Sequence, residues 1–203
     1  MTAPAFVHRY EPATVPGLTP LLLLHGTGGD ENDLLPLGRM LSPGAALISP
    51  RGMVDEHGMP RFFRRLAEGV FDEEDVRRRA DELADFITAA RATCGHPAPI
   101  AVGFSNGANI AAAVLYRRPE ALSGAVLIRA MVPLEEAPAV DLTGKPVLIL
   151  SGNADPIMPA ENPARLAARL KAAGADVEHR ILRAGHGLTE NDVALARAWI
   201  AGK

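Results

Sequence analysis

The chain has 203 residues, a formal net charge of −3 and one cysteine, with 48% hydrophobic and 22% charged residues. This is enough for one domain, residues 1–203, with a well-buried core, and the near-balanced charge offers no field for nucleic acid. The lone Cys94 excludes an internal disulfide and fits a reducing cytoplasm, while no secretory signal pattern or membrane-length apolar run occurs, so stable membrane insertion is not expected.

In chain order, Phe6–Tyr10 reads as an edge strand followed by a proline-rich connection. Leu21–Leu24 is continuously apolar, as expected of a strand buried on both faces. It leads through His25 into Gly26-Thr27-Gly28-Gly29-Asp30, which lacks the spacing of a nucleotide-binding loop. His25 ends a buried strand and reads as a local hydrogen-bonding residue rather than a base. Asp30 is expected to cap a helix through Met40, and Ala46–Pro50 to form the next strand. Arg51–Phe71 is the longest stretch without a regular pattern. Asp72–Thr93 is an amphipathic helix, with Val76, Ala80, Leu83 and Ile87 on one face and an acidic first turn that suits the helix dipole. Cys94 ends that helix before Gly95 and reads as an inert thiol.

Pro99–Val102 is a short apolar strand, Gly103-Phe104-Ser105-Asn106-Gly107 follows, and Ala108–Leu115 is rich in helix formers. A G-x-S-x-G between a strand and a helix is a nucleophile elbow: a tight turn lifts the serine hydroxyl clear of the sheet edge, and the flanking glycines let the turn close. Gly124–Ile128 and Pro146–Ser151 are further strands, the second running into Asp155. Helix Glu161–Ala173, strand Val177–Leu182 and helix Thr189–Ile200 close the chain, with His186 between two glycines after the last strand. His179 lies inside a strand and reads as structural. The alternation of strand and helix implies a mostly parallel sheet of α/β class without a large cap.

The order Ser105, Asp155, His186, each in a loop at a strand's carboxyl end, is that of a hydrolytic triad. Serine is a poor nucleophile until a base takes its proton. Histidine can take that proton at neutral pH and return it, and a carboxylate fixes the imidazole tautomer. Asp141 and Asp176 precede strands and so sit at the wrong edge. The amides of Thr27 and Asn106 are the expected oxyanion hole. Phe62, Phe63, Met131 and Met158 are expected to line an adaptable apolar substrate pocket, with packing of loop onto sheet as the competing reading. Arg129, just past a strand, is expected either to bind a substrate anion or to pair with a loop carboxylate such as Glu135 or Glu136, the second being favoured.

These motifs, from Leu24-His25-Gly26-Thr27-Gly28-Gly29-Asp30 through Gly103–Ala108 and Gly152–Pro156 to Ala184-Gly185-His186, resemble those of the carboxylesterase and lysophospholipase branch of the α/β-hydrolases. Arg61–Leu66 and Arg129–Leu134 look like the small bacterial esterases of the hydroquinone-resistance type. Two departures argue against protein-thioesterase activity: Asn106 replaces the usual glutamine, and Arg61-Phe62-Phe63 replaces a tryptophan-containing loop. The expected protein is a cofactor-free, metal-free serine esterase, with a homodimer as a candidate assembly, and the absence of a cap together with a loop-built pocket favours small to medium acyl esters. Lysophospholipase or thioesterase activity, or a ligand-binding receptor on the same fold, are the alternatives.

Overall fold

The computed structural model describes residues 5–136, 138–159 and 161–203. The chain runs β1 (His8–Glu11), β2 (Leu21–Leu24), α1 (Leu35–Leu41), β3 (Leu47–Pro50), β4 (Val54–Glu56), β5 (Met59–Arg61), β6 (Arg65–Ala67), β7 (Val70–Phe71) and α2 (Glu73–Cys94). It continues as β8 (Ile100–Phe104), α3 (Asn106–Arg117), β9 (Gly124–Ile128), β10 (Pro146–Gly152), α4 (Glu161–Ala172), β11 (Asp176–Leu182) and α5 (Glu190–Ala201). Seven strands form one sheet in the order β1-β3-β2-β8-β9-β10-β11. Only β1 is antiparallel, and the other strands pair in parallel.

Alternate strand residues face opposite sides of the sheet. Leu22, Leu24, Ala101, Leu127 and Ile149 face α2, α3 and α4 in one apolar layer. Leu21, Leu23, Val102, Val126 and Leu148 face α1 and α5 in the other. Both faces are therefore covered, which is why the central strands read as unbroken apolar runs. Helix α3 crosses the sheet centre and is buried on nearly every side, from Asn106 to Tyr116. Its small alanines allow that close approach.

Pairing registers Leu24 with Gly103, Phe104 with Ile128, and Leu150 with Ile128. The loops after β2, β8, β9 and β10, together with that after β11, consequently open on one edge. That edge is where open α/β sheets hold ligands.

Two expectations change. Asp30 caps no long helix: its carboxylate accepts the Asn32 N–H at 2.7 Å in a local turn, and α1 starts at Leu35 with Pro36 in its first turn. Residues 51–71 are not irregular. They fold as two hairpins, β4–β5 and β6–β7.

Candidate active site

Ser105 adopts φ 52°, a left-handed conformation rare for a residue with a side chain. Neighbours over-determine that strain. The Ser105 N–H donates to Ile128 O at 2.8 Å, and Ser105 O accepts the Asn109 N–H at 3.0 Å. A β-carbon at Gly103 would strike the backbone of Gly107 and Ala108, and one at Gly107 would strike the Leu24 and His25 carbonyls. Both glycines are thus required by contact, and the serine is held at the mouth of the sheet.

His186 Nε2 lies 2.9 Å from Ser105 Oγ, and its Nδ1 lies 2.8 Å from Asp155 Oδ2. Asp155 Oδ1 accepts the Ile157 N–H at 2.9 Å, which orients the carboxylate. Its side chain is 1% exposed against 21% for His186, so the acid is shielded while the imidazole reaches the pocket. With Asp155 accepting at Nδ1, the proton of a neutral ring sits there and Nε2 is free to accept from the serine hydroxyl.

The loop that carries His186 is gripped from behind. Arg129, also left-handed at φ 56°, has a fully buried side chain. Its Nε donates to Gly185 O at 2.9 Å and its Nη2 to Gly187 O at 3.1 Å, the two carbonyls that flank His186. Nη1 donates to Leu150 O at 3.3 Å, and the two terminal nitrogens bind Asp192 at 2.8 Å each. All five N–H groups of the guanidinium therefore have acceptors. Asp192 in turn accepts the Thr189 N–H at 2.8 Å and closes a capping box at the start of α5. One buried ion pair ties the histidine loop to β10 and to a helix end.

The loop after β2 forms the opposite wall. His25 is 1% exposed, its Nε2 accepts the Gly52 N–H at 2.9 Å, and its Nδ1 donates to Gly26 O at 2.7 Å. Burial holds its pKa below the usual histidine value, which suits a neutral ring fixed in one tautomer. Hairpin β4–β5 braces the same loop through Gly28 N–H to Pro60 O at 3.0 Å. The Thr27 N–H has no acceptor among the described residues, and Asn106, first in α3, has an amide with no partner inside the helix. Both residues line a pocket of about 240 Å³ together with Ser105 and His186. Its apolar wall comes from Phe71, Phe104, Met131, Ile157 and Met158.

The chain matches the model of the family described as Phospholipase/Carboxylesterase over residues 11–202. It belongs to this family. It is 46% identical to the putative hydrolase MhqD of Bacillus subtilis (strain 168) over 194 residues, which are 95% of this chain and 96% of that protein. The Bacillus cereus carboxylesterase structure matches with a TM-score of 0.94 and 43% identity, covering 97% of this chain and 94% of that one. A Mesorhizobium loti carboxylesterase structure matches at 0.87 and 33%, covering 91% and 89%. The α/β-hydrolase fold and a hydrolase of the carboxylesterase type follow from these matches.

Within this carboxylesterase-family site, the structure brings together Ser105, Asp155, His186, Thr27, Asn106, Met131 and Met158. It does not bring in Phe62 and Phe63. They are 3% and 0% exposed and pack in the core beneath the pocket, where Phe62 meets the His25 ring at 4.7 Å between centroids. Their apolarity serves packing, the competing reading of that loop. The carboxylate partner of Arg129 is Asp192, not Glu135 or Glu136; Glu135 pairs instead with Arg165 at 2.9 Å. Arg61, Arg65, Phe71 and Asn109, unflagged in the sequence as site residues, line the pocket. A second serine–histidine pair, Ser151 Oγ to His179 Nε2 at 2.8 Å, bridges the adjacent strands β10 and β11. Neither residue borders the pocket, and no carboxylate engages that ring among the described residues. Among the described residues no helix is long and apolar enough to cross a membrane.

Proposed function

We propose that this enzyme is a serine carboxylesterase that cleaves small to medium acyl esters through an acyl-enzyme intermediate. The observation that carries the reading is the unbroken hydrogen-bonded chain from Ser105 Oγ through the His186 ring to Asp155 Oδ2, at 2.9 and 2.8 Å. Ser105 Oγ attacks the ester carbonyl as His186 Nε2 takes its proton. The Thr27 and Asn106 amides receive the charge that develops on the carbonyl oxygen; each such donor contributes about 3 kcal/mol to the transition state. His186 then protonates the departing alkoxide, leaving the acyl group on Ser105. A water, deprotonated by the same imidazole, releases the acid and restores the serine. Asp155 stabilises the imidazolium that forms twice in each cycle.

The size of the pocket supports short and medium chains over long ones. A lysophospholipase or long-chain thioesterase would need a groove that extends along an acyl chain, and a site of about 240 Å³ whose lining includes Met131 and Met158 favours smaller groups. The test is a series of p-nitrophenyl esters from acetyl to palmitoyl. Highest kcat/KM for the shorter members is the expected result. A clear preference for palmitoyl, or for a palmitoyl thioester, would replace this substrate class with the lysophospholipase or thioesterase one.

A further inference from the structure

Arg61 ends β5 and is 3% exposed, yet its hydrogen bonds leave part of its donor capacity unused. Nε donates to Phe63 O at 3.1 Å and Nη1 to Thr27 Oγ1 at 2.6 Å. Glu56 Oε2 lies 3.4 Å from Nη1, but that oxygen makes no hydrogen bond. Nη2 has no acceptor among the described residues. Arg65 shares the same carboxylate, its Nε donating to Glu56 Oε1 at 2.8 Å, and its terminal nitrogens have no acceptor among the described residues. Two guanidinium groups thus lean on one carboxylate. Burial holds the Arg61 pKa down; Glu56 opposes that and the nearby Arg65 adds to it.

A third donor lies on the same wall. Asn106 Oδ1 accepts the Phe62 N–H at 2.7 Å, while its Nδ2 is buried without an acceptor. Arg61, Arg65 and Asn106 all line the pocket that contains Ser105. The acidic side chain on that lining is Glu68, which is exposed and makes no ion pair among the described residues. Of these donors only Asn106 Nδ2 is buried without an acceptor; the free arginine nitrogens stay open to the pocket, and a planar, fixed guanidinium is best satisfied by an anion with two oxygens.

We propose that Arg61, with Arg65 and Asn106, forms an anion subsite that takes a carboxylate carried by the ester substrate itself. Arg61 is hydrogen-bonded to Thr27, so the bound carboxylate lies a short chain away from the carbonyl under attack. Monoesters of short dicarboxylic acids and esters of short acids that bear the carboxylate on the alcohol side are the substrates that fit. The subsite rests on the Ser105 reading given above.

The experiment compares kcat/KM within two pairs of esters in wild type, Arg61→Gln and Arg61→Lys. The first pair, p-nitrophenyl hemisuccinate and p-nitrophenyl butyrate, places the carboxylate on the acyl side. The second, 4-acetoxybenzoate and phenyl acetate, places it on the alcohol side. The charged-to-neutral ratio is expected to exceed one in wild type for one pair and to fall about tenfold or more in Arg61→Gln, as expected for loss of a charge-assisted bidentate contact. Arg61→Lys should recover part of the ratio. Because the ratio is taken within one variant, reduced folding cancels. An unmoved ratio in both pairs, with charged and neutral esters falling together, would overturn the subsite and leave Arg61 as a brace of the Thr27 loop. Failure of the Ser105 reading looks different, since Ser105→Ala would then still hydrolyse all four esters.

Discussion

Arg129 and Arg61 are both buried, both border the same pocket, and do opposite things with the same guanidinium. Arg129 spends all five donors on protein acceptors, two of them the carbonyls on either side of His186. Arg61 spends two and keeps Nη2 without an acceptor among the described residues. A saturated arginine has nothing left for a ligand, so it fixes geometry. An unsaturated one at the edge of a binding site retains the capacity to recognise something. The residue type says little about function here; the count of filled donors decides it.

The largest effect that probes this division is on the histidine side. Asp155→Asn keeps the shape but removes the acceptor that holds the His186 tautomer, and turnover should fall by up to about 10⁴ with the fold retained. A loss of less than tenfold, measured with p-nitrophenyl butyrate on a protein of unchanged circular dichroism, would mean that Asp155 does not orient the base. Arg129→Met comes next. It strands Asp192 as an uncompensated buried charge, for which a cost of about 3–5 kcal/mol is expected, a fall in Tm of roughly 10 °C. Adding Asp192→Leu should recover much of that stability, because the orphaned charge is gone. Activity should stay low in the double variant, since Gly185 and Gly187 have still lost their donors. Recovery of both stability and activity would show that Arg129 supports the fold and not the histidine loop.

Sequence reading reached the parts of this site that carry local signals. The apolar runs of β2, β8, β9 and β10 reflect burial on both sheet faces, and Gly103 and Gly107 mark the elbow because no other residue clears the backbone there. Asp155 and His186 followed from chain order and from their place after strands. What it missed depends on distant contacts. Asp192 lies far along the chain from Arg129 and inside a predicted helix, where a carboxylate reads as a surface or capping group. Phe62 and Phe63 sit in a loop by sequence but dip into the core, and nothing local separates those two outcomes.

The hairpin β4–β5 leaves only a faint mark in the sequence. His57 and Gly58 both have positive φ, 55° and 82°, as in the tight two-residue turn of a hairpin. The strands on either side are only three residues long, too short for alternation to show. That hairpin delivers Arg61 to the pocket, so the donor-rich wall depends on a turn with no strong local signature. Asp30 failed in the other direction, because a good capping residue can as readily close a turn that goes nowhere.

The central claim is that Ser105, activated by His186, is the nucleophile. The direct measurement is reaction of the protein with a fluorophosphonate, followed by mass spectrometry of the peptides and parallel assay of ester hydrolysis. The account predicts one phosphonyl adduct, on Ser105, formed in step with complete loss of activity and absent in Ser105→Ala, which should itself be folded and inactive. An adduct on Ser151 beside His179, or full esterase activity in Ser105→Ala, would contradict it.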